Sequence, residues 1–265
     1  MHKQYIWLII FAPLLSLAQT KYYSVSAGFG VTNSFIHSSS NKMVTGTNQT
    51  YAQFADSLNG ISEIRHNFSF NVWINNNLNK NWDVQAGIGY IDMGYRRAQK
   101  DLLFGQKTHP GIGSGIIEEK SNSKKDIYYD YRFYFVQIPI WFNYKLYKSK
   151  DYKTTYQLTM GATPQFLVTN NITARLKNFT VDGEKKYTLD SSGYDGRTVN
   201  MQLNFGARIE RKVDKTTTII IQPMVAYHPF SVSNTPMLVN PLSVMLHLGL
   251  VIDIGGFLGK RGDAN

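Results

Sequence analysis

From Tyr134 to Leu146 every second side chain is apolar or aromatic: Tyr134, Val136, Ile138, Ile140, Phe142, Tyr144 and Leu146. The positions between them, from Phe135 on, turn mixed: Gln137, Pro139, Trp141, Asn143 and Lys145. A period of two belongs to a strand, whose successive side chains leave opposite faces. The stretch is too aromatic and β-branched for a helix, and Pro139 within it predicts a local bulge. Tyrosines stand at both ends of the greasy face, as on a strand that crosses a bilayer between two aromatic girdles.

Seven further segments alternate in the same way. Tyr23 to Val31 sets Tyr23, Val25, Ala27, Phe29 and Val31 against Ser24, Ser26, Gly28 and Gly30. Arg65 to Asn75 sets Phe68, Phe70, Val72 and Ile74 against Asn67, Ser69, Asn71 and Trp73. Trp82 to Tyr95 carries Val84, Ala86, Ile88 and Tyr90 on one face, and its phase slips near Asp92, where irregularity is expected. The opening stretch, extended back to about Tyr128, is fourth in order. Thr155 to Val168, Val199 to Glu210, Thr216 to His228 and Leu242 to Ile254 complete the series.

Past the first residues no apolar run is long enough for a membrane-spanning helix, and the mean hydropathy is slightly negative. Weak hydropathy with many alternating segments is the pattern of a transmembrane β-barrel. The expected fold is all-β: an eight-stranded antiparallel transmembrane barrel. A soluble barrel of the same size would turn its apolar faces inward. The aromatic-capped apolar faces opposite Gly-, Asn- and Gln-rich ones argue for the inverted arrangement.

Lys3, the apolar run from Tyr5 to Leu15 and the small-residue site Ser16-Leu17-Ala18 read as a secretory signal. Residues 1–18 are therefore expected to be a signal peptide and 19–265 a single outer-membrane barrel domain. The chain has no cysteine, so export brings neither disulfides nor a thiolate metal site. Connections alternate in length. Those at 76–81, 148–153 and 213–215 are short; those at 32–64, 96–127 and 169–198 are long and polar. Short turns face the periplasm in such barrels and long loops the exterior, which puts both termini in the periplasm.

The run Phe135-Val136-Gln137-Ile138-Pro139-Ile140, continued by Phe142-Asn143-Tyr144, resembles a strand hallmark of PorT-type outer-membrane β-barrel proteins. Gly161-Ala162-Thr163-Pro164 is similar to the same family's Gly-x-x-Pro strand. Gln137 stands where Glu is usual and Trp141 where leucine is usual. The resemblance implies an outer-membrane location and, from the family's name-giving member, an accessory role in secretion.

No GxSxG, HExxH, P-loop or CxxC pattern is present. A barrel enzyme acting on lipid or peptide would need a histidine beside a serine and an acid. His228 with Ser231 or Ser233 is the best such set, with no acid near it in sequence; rim histidines in a girdle are the plainer reading. No cofactor or metal is expected. Asp56-Ser57-Leu58 spells a short O-glycosylation sequon, which a solvated turn would also spell. The net charge is +10, and the basic residues gather in the turns, among them Lys80, Lys148, Lys150, Lys153, Arg211 and Lys212. Such a ring favours anionic outer-membrane lipids, with lipopolysaccharide contacts at the loops, and a membrane barrel leaves no groove for nucleic acid.

An eight-stranded barrel is just wide enough for side chains to fill its interior. Asp83, Lys145, Arg208, Glu210 and Asp253 lie on inward faces at one end, and buried charges there must pair. One lumen network of these five, with Gln157 and hydroxyls, is expected. Three functions remain open: an accessory barrel binding another envelope or secretion protein, a barrel enzyme, and a narrow solute channel.

Overall fold

The computed structural model describes residues 21–38, 40–44, 48–102, 125–151, 153–177, 185–189, 196–214, 217–234 and 237–252. Its strands are β1 (Lys21–His37), β2 (Ser62–Glu63), β3 (Arg65–Asn77), β4 (Trp82–Leu102), β5 (Lys125–Gln137), β6 (Ile140–Lys148), β7 (Thr154–Lys177), β8 (Lys185–Leu189), β9 (Val199–Lys212), β10 (Thr217–Tyr227) and β11 (Leu238–Ile252). One helix, α1 (Tyr51–Gly60), lies between β1 and β2.

Every pairing is antiparallel. β1 joins β3 on one side and β11 on the other, and the ladder continues through β4, β5 with β6, β7, β9 and β10 back to β11. Since β5 and β6 act as one staved strand, the ring has eight strands and no open edge. Closure pairs the strands all round the ring, so their ladder groups find partners within the sheet, which is what a strand needs in lipid. β2 and β8 are short additions, on β4 and β7 respectively.

The alternation fixes which face looks out. In β3 the burial pattern is two-periodic from Arg65 to Asn75, with Phe68, Phe70, Val72 and Ile74 exposed and Asn67, Ser69, Asn71, Trp73 and Asn75 buried. β11 repeats it with Val244, Leu246, Leu248 and Leu250 outside and Ser243, Met245 and His247 inside. The outward residues form an apolar belt, bounded at one rim by Tyr23, Tyr147 and Tyr156 and at the other by Tyr90, Tyr134 and Tyr227. Among the described residues no helix is long and apolar enough to cross a membrane; the strands do the crossing.

At one end the strands are joined by tight turns held by Asx-type bonds. Asn79 Oδ1 accepts from the Trp82 amide at 2.9 Å, and Asp214 Oδ1 accepts from the Thr217 amide at 2.7 Å. The longer connections and α1 lie at the other end.

Two local details differ from expectation. β4 holds one phase from Asp83 to Arg97, and its register against β5 is unbroken until between Gln99 and Leu102. The irregularity expected near Asp92 is therefore absent. At Ile91 the inward face turns from polar to apolar, and in sequence this change of lumen chemistry mimics a slip of phase. At Pro139 the ladder does lapse, separating β5 from β6, because proline has no amide hydrogen to give. The gap is bridged by Ile138 N–H donating to the Pro164 carbonyl at 2.9 Å and Gly87 N–H to the Pro139 carbonyl at 3.0 Å.

Candidate functional site

The lumen is filled in layers. Nearest the turns, Asp83 on β4 and Lys145 on β6 meet with Nζ 2.8 Å from Oδ1. Asp83 is buried, whereas Lys145 is partly open to the turn end. On β9, Arg208 donates from Nε to Glu210 Oε1 at 2.7 Å, and its Nη2 lies 2.6 Å from the same oxygen. Arg208 is among the largest fully buried side chains, at 1% exposure. Gln157 on β7 stands in register with Lys145 on one side and Arg208 on the other. Its Nε2 is 3.5 Å from Asp83 Oδ2, at the limit of a hydrogen bond. The structure thus brings together two ion pairs with an amide between them; Asp253 lies outside the described residues. Just below, a cavity of about 80 Å³ opens at the turn end, lined by Lys148, Lys153, Thr155, Glu210, Lys212 and Thr218.

The middle layer is aromatic and amide-rich. Trp73 and Trp141 lie with ring centroids 4.4 Å apart and pack with Met224. Each indole N–H finds an oxygen: Trp73 donates to Ser26 Oγ at 2.9 Å and Trp141 to Thr163 Oγ1 at 3.2 Å. Gly161 makes this possible, since a Cβ there would meet the Ile140 carbonyl and Trp141 Cδ1. Beside this layer runs an amide chain. Gln137 donates from Nε2 to Asn71 Oδ1 at 2.7 Å and accepts from Gln165 Nε2 at 3.4 Å, and Gln165 Oε1 lies 2.9 Å from His228 Nε2. A glutamate at 137 would lose the donor that Asn71 receives. Of the motif residues, Gln137 and Gly161 thus serve the lumen, and Ile138, Pro139 and Pro164 the seam between strands.

The layer nearest the loops is apolar. Ile91, Met93, Tyr95, Phe133 and Phe135 pack with Ile36, Val239, Met245 and Val232. Helix α1 closes over them, placing Ala55 and Leu58 in the same core with Phe54 and Ile61 against it. The helix begins with a capping box between Thr50 and Gln53. It is pinned to β1 by Asn59, which accepts from the Ile36 amide at 2.9 Å and donates to the Ile36 carbonyl at 2.7 Å. Alternation could not reveal this plug. The available signal was Thr50-x-x-Gln53 followed by Phe54, Ala55 and Leu58 at helical spacing. The sequon residues sit in it, with Asp56 and Ser57 exposed and Leu58 buried in the core.

His228 is wholly buried in the lumen rather than set on the rim; its ring Nε2 lies against Gln165, and its backbone N–H donates to the Pro241 carbonyl while its carbonyl accepts from Asn240 Nδ2. Ser231 Oγ is used locally: it donates to the Ser233 carbonyl at 2.7 Å and accepts from the Ser233 and Val239 amides at 3.0 and 2.9 Å. These contacts tie the loop between β10 and β11. Among the described residues no group of three or more His, Cys, Asp or Glu is placed to hold a metal ion.

Residues 17–219 match the family described as "Outer membrane protein beta-barrel domain". No curated protein matches the sequence. Similar solved structures include Neisserial surface protein A, at 10% identity over 89% of this chain and 99% of that one, with a TM-score of 0.39. Ail, the attachment invasion locus protein of Yersinia pestis, aligns at 13% identity over 87% and 99% of the two chains, with a TM-score of 0.31. The outer membrane protease OmpT from Escherichia coli aligns at 8% identity over 87% and 96%, with a TM-score of 0.39.

Proposed function

The chain belongs to the outer membrane protein β-barrel domain family, and on that premise we propose that it is a closed, non-enzymatic accessory barrel whose loop end binds another envelope or secretion protein. The observation that carries this is the filled lumen. Among the described residues, ion pairs, a tryptophan layer, an amide chain and an apolar plug follow one another from turn end to loop end and fill the lumen. The pinned helix α1 gives the loop end a preformed surface, which lowers the ordering cost of binding a partner. In this reading the turns and both termini face the periplasm and the loops face out. The Gln137-Ile138-Pro139 and Gly161/Pro164 motifs support a place in the PorT-type branch. A channel is disfavoured by the plug, and an enzyme by the local use of Ser231 and the burial of His228.

The test is conductance together with partner capture. In planar bilayers the wild-type protein should give no steady current. A variant lacking residues 51–60 should lose any envelope protein that the wild type retains in mild detergent, and should stay closed because the ion-pair, tryptophan and amide layers remain. Steady wild-type conductance would return the channel reading to first place.

A further inference from the structure

Three arginines are buried among the described residues: Arg65, Arg97 and Arg208. Arg65 has a carboxylate oxygen of Asp92 at 2.6 Å, and Arg208 has one of Glu210 at 2.6 Å. Arg97, 8% exposed, has no carboxylate partner among the described residues. It points inward from β4, one row loopward of Tyr95, a side chain of the apolar plug. Tyr95 and its cross-strand neighbour Tyr131 stack with centroids 4.5 Å apart. The Arg97 guanidinium carbon lies 5.1 and 4.8 Å from the two ring centres. Its Nη2 and Nη1 reach the Tyr95 and Tyr131 hydroxyls at 3.5 Å, the limit of a hydrogen bond, and its Nε is buried without a hydrogen-bond partner. Aromatic faces stabilise a cation without neutralising it, and a buried charge left unpaired is costly.

We propose that Arg97 receives a carboxylate carried by the protein that the loop end binds, an aspartate or glutamate side chain of an exposed acidic segment. The inference rests on the accessory-barrel reading and gives its partner a chemistry. Nε–H and a neighbouring terminal N–H make the planar fork that takes both oxygens of one carboxylate. The stacked tyrosines hold that fork in place before a ligand arrives, which lowers the ordering cost of binding. The neighbours of Arg97 in the chain are already matched at 2.6 Å, Arg96 by Asp130 and Lys100 by Glu63. Arg97 therefore offers a single charge, which suits a carboxylate rather than a phosphate group near two negative charges. The site also adjoins α1. Ser62, just past the helix, stands in register with Arg97, and the Ile61 carbonyl accepts from the Ala98 amide at 2.8 Å. Arg97 thus lies beside the helix on which the partner is proposed to sit.

The test uses the full chain in detergent with isotope-labelled arginine, and follows the Arg97 Nε–H resonance, identified as the one lost in Arg97→Gln. The probes are an end-blocked peptide with one glutamate among glycines and serines, the same peptide with glutamine in that place, acetate and inorganic phosphate. The glutamate peptide should shift the resonance and bind about tenfold more tightly than the glutamine peptide, as one charge-assisted bond gives. Arg97→Gln should abolish the preference, and Arg97→Lys, which keeps the charge but loses the fork, should keep only part of it. Without peptide, the Tm of Arg97→Gln should stay at or above wild type, since the change removes a buried charge with no acid beside it. Equal binding of the two peptides, a preference that survives Arg97→Gln, a marked fall in the Tm of that variant, or acetate or phosphate binding as tightly as the glutamate peptide would each overturn the proposal. Copurification in mild detergent reads the accessory role separately. An envelope protein retained equally by the wild type and Arg97→Gln would leave that role standing and sink the Arg97 site. A glutamate preference at Arg97 with no protein retained would keep the site and sink the role.

Discussion

Lys145 Nζ lies 2.8 Å from Asp83 Oδ1 inside the turn end of the barrel, and the two side chains come from neighbouring strands of one sheet. Asp83 is the dependent partner. Its side chain is 3% exposed against 29% for Lys145, so it cannot turn to water when the cation is removed.

Lys145→Met should therefore destabilise the barrel by about 1–3 kcal/mol, toward the lower end because water reaches the Lys145 position. Asp83→Asn added to it should restore most of the loss. Melting in detergent checks both; a harmless single change would mean that Asp83 finds its compensation elsewhere.

The membrane face can be ranked against the lumen face. Arg in place of Leu203 or Leu248, both nearly half exposed on the outside, should cost roughly 2–4 kcal/mol at the bilayer midplane. Asn204→Ala, which removes a 2.9 Å bond to Thr163 Oγ1, should cost about 1 kcal/mol. Unfolding in lipid vesicles gives the order, and its reversal would turn the barrel inside out.

Gly161→Ala should cost about 1–3 kcal/mol by overpacking, since the new methyl group meets backbone as well as Trp141. Gly60→Ala, with nothing within 4 Å of the added carbon, should be silent. Trp fluorescence should report a displaced Trp141 in the first variant only.

Orientation is tested with single cysteines at Ser57 and Lys150. The first should react with an impermeant maleimide on whole cells, and the second only after permeabilisation. Labelling of both on intact cells would remove the assignment of the turn end to the periplasm.

The β6–β7 turn should loosen in acid. The Ser149 hydroxyl and the Lys153 amide both donate to the Asp151 carboxylate and hold it below the ordinary carboxylate range. A depressed pKa means the turn is intact at neutral pH and loses support as pH falls through that lowered value. A lower protection factor for the Lys153 amide in acid, relative to its intrinsic exchange rate at the same pH, checks it.

Strand identity and facing were legible in the sequence because both are local. A pleated chain sends alternate side chains to opposite sides whatever its neighbours do, so Val199 to Ile209 announces its own lipid face. The turns were legible for the same reason, since Asn79 and Asp214 bond within three residues. The neighbourhood of Asp83 and Lys145 lay within reach because sequential antiparallel strands bring those ends together.

The filling of the lumen was decided only by tertiary structure. Which inward residues meet depends on the register of every ladder around the ring, and no single strand carries that information. Asn71, Gln137 and Gln165 come from three strands and His228 from just past the end of β10, and they form one chain only after closure. Helix α1 was hidden because it obeys a different period and buries two of its side chains, Ala55 and Leu58, in a core that closure creates. The inward run Ile91, Met93 and Tyr95 had the same history: by itself it looked like a slip of phase, and only the opposing Phe133, Phe135 and Ile36 make it the inside of a plug. Local geometry thus set the wall of this protein from its sequence, while what fills the barrel was left to contacts that exist only once the ring is shut.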